Sequence, residues 1–99
     1  MKKKILITPK SFFRARNKAE EIFNQYELEI IENNTGKTLT KQQMMELCKD
    51  VDGIIVGIDP MDEEVLRSAQ KLKAISKYGV GLDNIDLKVA EELGIIISR

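Results

Sequence analysis

The 99-residue chain has no histidine and no tryptophan, a single cysteine, two prolines and an aromatic content of only 5%. Each shortage excludes something. Without histidine, the usual acid–base group near neutral pH is missing, and so are metal sites built on imidazole. One thiol, Cys48, can form neither an internal disulfide nor a thiolate zinc site, and it reads as a small buried residue. Sixteen basic residues balance sixteen acidic ones, so no net field favours nucleic acid or an anionic membrane. No apolar run approaches the roughly 18 residues of a membrane span. The basic start Met1-Lys2-Lys3-Lys4 is followed by an apolar stretch that stops at Thr8-Pro9, too short for a signal peptide. These features are expected of one cytoplasmic domain.

What is present is an alternation of apolar runs and helical patterns. Ile5-Leu6-Ile7, within Lys3 to Thr8, suits a buried strand that Pro9 ends. Ser11 can cap a helix carrying Phe12, Ala15, Ala19, Ile22, Phe23 and Tyr26 at helical spacing. Leu28-Glu29-Ile30-Ile31 is a second strand with the half-alternation of a sheet edge. Asn33 to Lys37 is rich in turn formers, and Thr40 with Gln43 matches a capping box ahead of Met44, Leu47 and Cys48. Val51 to Ile58 gives a third strand. Asp62 caps a helix bearing Val65, Leu66, Ala69 and Leu72 that runs into a fourth strand, Leu72 to Ser76. Asp86 caps a last helix with Val89, Ala90 and Leu93 inward, Gly94 takes the position after it, and Ile95-Ile96-Ile97 is a fifth strand.

Strands apolar throughout and alternating with helices predict a parallel sheet with helices on both faces. The expected architecture is α/β, a flavodoxin-like doubly wound five-stranded sheet in the order 2-1-3-4-5, lacking its final helix. The sheet face left uncovered calls for a further segment or for another chain, so self-association into a homo-oligomer is expected.

Several patterns fall short of chemistry. Gly36-Lys37-Thr38 resembles the tail of a P-loop, but Ile31 stands where its first glycine belongs, and the segment reads as a turn and helix start. Asp59 follows the third strand, as a phosphoacceptor would, yet Thr8-Pro9-Lys10-Ser11 supplies no acidic pair; Asp59 reads as part of a turn and cap. Pro9-Lys10-Ser11-Phe12 is a poor flavin phosphate loop. Lys77, at a strand end, reads as solvated, with contact to an anion as the alternative.

The stretch that stands out is Lys77-Tyr78-Gly79-Val80-Gly81-Leu82-Asp83-Asn84-Ile85-Asp86. Two glycines one residue apart permit a tight turn whose amides can converge on an anion. Asn84 occupies the place of the third glycine of a dinucleotide fingerprint, so that motif is absent. Two readings stand: a carboxylate or phosphate cradle, or a turn in which Asp83, Asn84 and Asp86 merely shape the loop.

Together with Leu72-Lys73-Ala74-Ile75-Ser76, Ile5 to Pro9, Asp52 to Gly57, Leu66 to Ala69, Ala90 and Gly94-Ile95, this loop resembles the amino-terminal substrate domain of the D-isomer-specific 2-hydroxyacid dehydrogenases, nearest the 3-phosphoglycerate dehydrogenase branch. The resemblance covers essentially the whole chain and implies that residues 1–99 are a substrate-binding domain fragment. In that family a dinucleotide domain is inserted after such a segment, and a carboxy-terminal return completes the substrate domain, which would account for the missing final helix. The parent enzyme would move hydride between NAD and a 2-hydroxy acid, with no NAD site and no catalytic residue in this chain. The resemblance also implies that the Val80 and Gly81 amides hold the substrate carboxylate, that Gly79 shapes the turn, and that Asp83 and Asn84 brace it. Gly57 and Ile58 would line the cleft, where phosphoglycerate enzymes often carry Arg-Ser, so the choice of 2-hydroxy or 2-keto acid stays open.

Overall fold

The structure is a computed structural model that describes residues 3–9, 27–33, 35, 37–78 and 81–98. The expected helix from Phe12 to Tyr26, and Gly36, Gly79 and Val80, lie outside the described residues.

The described elements run β1 (Lys3–Ile7), β2 (Leu28–Glu32), α1 (Lys41–Cys48), β3 (Gly53–Val56), α2 (Glu63–Ser68), β4 (Ala74–Lys77), α3 (Leu87–Glu92) and β5 (Ile96–Ser98). All strand pairs are parallel, in the order β2-β1-β3-β4-β5. This is the expected topology. Parallel pairing requires crossover connections, and here the chain passes from β2 over β1 to β3 and then outward through β4 to β5.

Period-two alternation sorts the strands' side chains onto two faces. Leu6, Ile54, Val56 and Ile75 belong to the main apolar cluster, which also takes Met44 and Cys48 from α1, Val65 and Leu66 from α2, and Val89 and Ala90 from α3. The three described helices therefore pack on one face. On the other face a shallow groove is lined by Ile5, Leu28, Ile55, Ala74, Ser76 and Ser98. Gly53 lets Ile5 lie close over β3, since a Cβ there would sit 2.9 Å from the Ile5 Cδ1.

The helix ends follow local chemistry. Thr40 Oγ1 accepts from the Gln43 amide at 3.2 Å while Gln43 Oε1 accepts from the Thr40 amide at 2.9 Å, the reciprocal capping box. Asp62 and Asp86 each accept from the amide three residues on, at 3.1 Å. Gly94 follows α3 at φ +73°, in the left-handed region that glycine enters without a Cβ clash. No helix among the described residues is long and apolar enough to cross a membrane.

Three expectations need correction. Leu93, expected inward beside Val89 and Ala90, is 41% exposed because it falls at the end of α3. The helix bearing Val65 and Leu66 does not run on through Leu72. It ends at Ser68, whose hydroxyl donates to the Val65 carbonyl at 2.7 Å, and Ala69 turns out of helical geometry at ψ 72°. Ala69 and Leu72 remain buried from the connecting turn, so helical spacing overstated the helix while identifying the right core residues. The third strand, expected over Val51 to Ile58, pairs only from Gly53 to Val56, because main-chain groups past Val56 bond to side chains.

Candidate functional site: a polar ring at the carboxyl edge of the sheet

The apolar rows of β1 and β4 both end in a buried polar residue. Two positions past Leu6 stands Thr8, 3% exposed, and two past Ile75 stands Lys77, 7% exposed. Period two turns both side chains toward the face covered by the helices. With Asp59 and Asn33 they complete the buried polar set among the described residues. No side-chain nitrogen or oxygen buried among the described residues lacks a hydrogen-bond partner.

Thr8 and Asp59 form one half of the ring. The Thr8 hydroxyl donates to Asp59 Oδ1 at 2.5 Å and accepts from the Gly57 amide at 3.1 Å. Asp59 Oδ2 accepts from the Leu39 amide at 2.7 Å. Asp59 is thus a buried anchor joining the loops after β1 and β3 to the segment before α1, and not the turn-and-cap residue expected; Asp62 caps α2. Asn33 holds the neighbouring turn. Its amide donates to the Lys37 carbonyl at 2.7 Å, and its Oδ1 accepts from the Thr35 amide at 2.9 Å.

Lys77 and Asn84 form the other half. The Lys77 ammonium donates to the Gly57 carbonyl and, at 2.9 Å, to Asn84 Oδ1. Asn84 Nδ2 donates to the Gly57 and Asp59 carbonyls at 2.9 and 2.7 Å. Lys77 is therefore buried and engaged, not the solvated strand-end lysine expected. Its position on the Ile75 face is a parity that the sequence already carried.

The two described ends of the glycine loop are tied to β3 and to the segment that follows it. Upstream, the Tyr78 amide donates to the Val56 carbonyl at 2.8 Å. Downstream, Met61 and Ile85 form an isolated parallel bridge, with Met61 N donating to Asn84 O at 2.9 Å and Asp86 N to Met61 O at 3.0 Å. Gly81 is exposed, and a Cβ on it would meet only Asp83 Oδ2, at 3.8 Å. Asp83 itself is exposed.

The two cleft candidates after β3 differ. Gly57 is buried, with its amide used by Thr8 and its carbonyl by Lys77 and Asn84, whereas Ile58 is 74% exposed. Gly57 has no crowding to explain it, since a Cβ would stand 3.5 Å from the Pro9 ring in ordinary contact. Cys48 lies fully buried in the core; burial and then the charge of Asp59 push its thiol up to about 12, well away from a nucleophilic thiolate. No group of three metal-ligating side chains occurs among the described residues. The arrangement can fix loop geometry to close tolerance, but it contains no proton-transfer pair aimed at solvent.

Comparison with known proteins gives the same region a lineage. Residues 6–99 match the profile of the D-isomer specific 2-hydroxyacid dehydrogenase catalytic domain. A glyoxylate reductase of Korarchaeum cryptofilum is 34% identical over 100 aligned residues, which span 100% of this chain and 29% of that protein. A D-3-phosphoglycerate dehydrogenase of Methanocaldococcus jannaschii is 40% identical over 70 residues, spanning 70% of this chain and 13% of its own length. Among solved structures, the NAD+-bound 3-phosphoglycerate dehydrogenase of Entamoeba histolytica superposes with a TM-score of 0.75 at 30% identity, over 98% of this chain and 32% of that one. The chain thus spans about a third or less of these relatives. Profile, identity and superposition agree along nearly its full length: the chain belongs to the D-isomer specific 2-hydroxyacid dehydrogenase family.

Proposed function

We propose that this chain is the substrate-binding part of an NAD-dependent D-2-hydroxyacid dehydrogenase, and that its glycine loop receives the carboxylate of a 2-hydroxy or 2-keto acid. The observation that carries the reading is the anchoring of both described ends of that loop to the carboxyl end of β3 and the segment that follows it, in a chain of this family. Ligands of open α/β sheets lie beyond the carboxyl ends of the strands. The Val80 and Gly81 amides are the proposed donors, Gly79 shapes their turn, and Asn84 braces it. Gly57 serves as scaffold, its amide and carbonyl already engaged, while exposed Ile58 supplies an apolar wall. Glyoxylate and phosphohydroxypyruvate are the substrates to compare, since both a glyoxylate reductase and a phosphoglycerate dehydrogenase are among the relatives.

The described residues do not fit NAD. The turn after β1 opens on Thr8-Pro9, with the Thr8 hydroxyl committed to Asp59 and Gly57, so no glycine-rich phosphate cradle exists there. In this reading the parent enzyme binds the dinucleotide, and carries its acid–base chemistry, on a separate domain. The chain's own contribution is to bind and orient the acid.

Titration of the chain with glyoxylate, followed by amide NMR, tests this. Saturable shifts centred on Val80 and Gly81 are expected, with weak affinity because one wall of a cleft offers few contacts. Shifts centred elsewhere remove the loop from the site. NADH oxidation by the pure chain above the blank would refute the division of labour.

Self-association is a second reading, favoured by Ile96, an apolar residue of β5 that is 71% exposed. A sedimentation profile that stays monomeric at millimolar concentration would remove it.

A further inference from the structure

We propose that Lys77 is a positioning residue, whose buried ammonium closes the neck of the glycine loop and sets the geometry at which that loop meets its ligand. The proposal rests on the carboxylate reading above only for the identity of the ligand. Its geometry stands on the described residues alone.

Lys77 precedes the loop and Asn84 follows it, seven positions on, yet the two side chains meet at 2.9 Å. Both then converge on one acceptor, the Gly57 carbonyl at the end of β3. Entry and exit of the loop are thereby fastened to each other and to the central strand. The fastening is cationic on the entry side, and hydrogen bonds from a charged donor are roughly twice as strong as neutral ones.

Burial makes this arrangement demanding. A lysine 7% exposed has given up most of its hydration, which only acceptors held in place can replace. Among the described residues no carboxylate lies within ion-pair distance of its nitrogen; the acceptors are a main-chain carbonyl and a side-chain amide. An ammonium used only for stability is better placed at the surface, like Lys4 with Asp50. Buried beside a loop, with neutral partners, Lys77 holds that loop in one conformation, its charge unpaired by any carboxylate among the described residues.

The neck is also redundant with the Met61–Ile85 bridge, where Met61 N and Asp86 N complete the main-chain pairing. Removing the ammonium should therefore loosen the loop without unfolding the sheet. That separation makes the role measurable.

The test compares Lys77→Met, which keeps the apolar stem, Lys77→Arg, which keeps the charged donor, and Val51→Ala, a core change remote from the loop. In Lys77→Met, amide exchange at Met61 and Asp86 should rise by about tenfold while the Ile54 and Ile75 amides stay protected. The glyoxylate dissociation constant should rise by about tenfold, the weight of one charge-assisted bond. Lys77→Arg should restore both readouts, and Val51→Ala should lower the melting temperature without moving either. Unchanged exchange at Met61 and Asp86 in Lys77→Met overturns the proposal, as does weakened binding in Val51→Ala equal to that in Lys77→Met. Should the unmodified chain bind no glyoxylate, the carboxylate reading fails, and the exchange comparison still decides the clamp. Should Lys77→Met not fold, Asn84→Ala opens the same neck from the other side, with the same two outcomes.

Discussion

The two ends of the sheet use polar groups in opposite ways. At the amino end, Lys4 contacts Asp50 at 2.6 Å and Lys71 contacts the same carboxylate at 3.1 Å, all with substantially exposed side chains. At the carboxyl end, Thr8, Asp59, Lys77 and Asn84 meet at similar distances, three of them nearly sealed from solvent. The pairs look alike as distances and differ in environment. Water competes for the exposed set and screens it, whereas the buried set has no substitute partners. The lesson is that this protein invests its polar specificity where a ligand would sit, and only solubility at the other end.

Substitutions at the two ends should break this symmetry in a graded way. Asp59→Ala should do most damage, because it strands both the Thr8 hydroxyl and the Leu39 amide in the interior. Two orphaned groups cost about 3 kcal/mol, read as a lower urea midpoint. Thr8→Val keeps the volume but leaves the Gly57 amide without its acceptor, for a loss of about 2 kcal/mol in the same assay. Thr40→Ala, at the exposed capping box of α1, should cost about 1 kcal/mol, and melting should show it as a modest fall in midpoint.

Asp50→Asn should have the smallest effect and the most specific pH signature. Its hydrogen bond to Lys4, then that to Lys71, holds the Asp50 carboxyl below its ordinary value of 3.8. A carboxyl lowered on folding contributes stability above its unfolded value, and that contribution is lost as the pH falls through the folded value. The variant should therefore match the parent at strongly acid pH and fall at most slightly below it at neutral pH, with any gap closing in added salt. A large salt-independent loss would erase the contrast between the two ends. Asp62 is a mixed case: burial acts to raise its carboxyl, but the Val65 amide and Lys41 bring it net below the ordinary range.

Much of this was legible beforehand, and for identifiable reasons. Ile5-Leu6-Ile7 and Gly53-Ile54-Ile55-Val56 are short runs with one plausible use, so strand order followed from alternation with helices. The caps at Thr40, Asp62 and Asp86 are local devices, decided within four residues, and sequence spacing is enough to identify them. Helical spacing extends past Ser68, where the helix stops, because Ala69 and Leu72 stay buried after the backbone leaves helical geometry. Periodicity reports burial, and burial does not require a helix.

Lys77 and Asp59 mark the boundary of sequence reading. Their side chains bond across 20 positions, Lys77 to the Gly57 carbonyl and Asp59 to the Leu39 amide, and Thr8 reaches Asp59 across 51. Composition by itself determined that there is no histidine chemistry and no thiolate metal site, and patterning determined a parallel α/β sheet with a glycine loop at a strand end. Only the tertiary structure decided which polar residues are buried there and what they hold. A hydrogen bond between distant positions exists only once the sheet has aligned the strand ends, and its strength is set by the water that packing has removed.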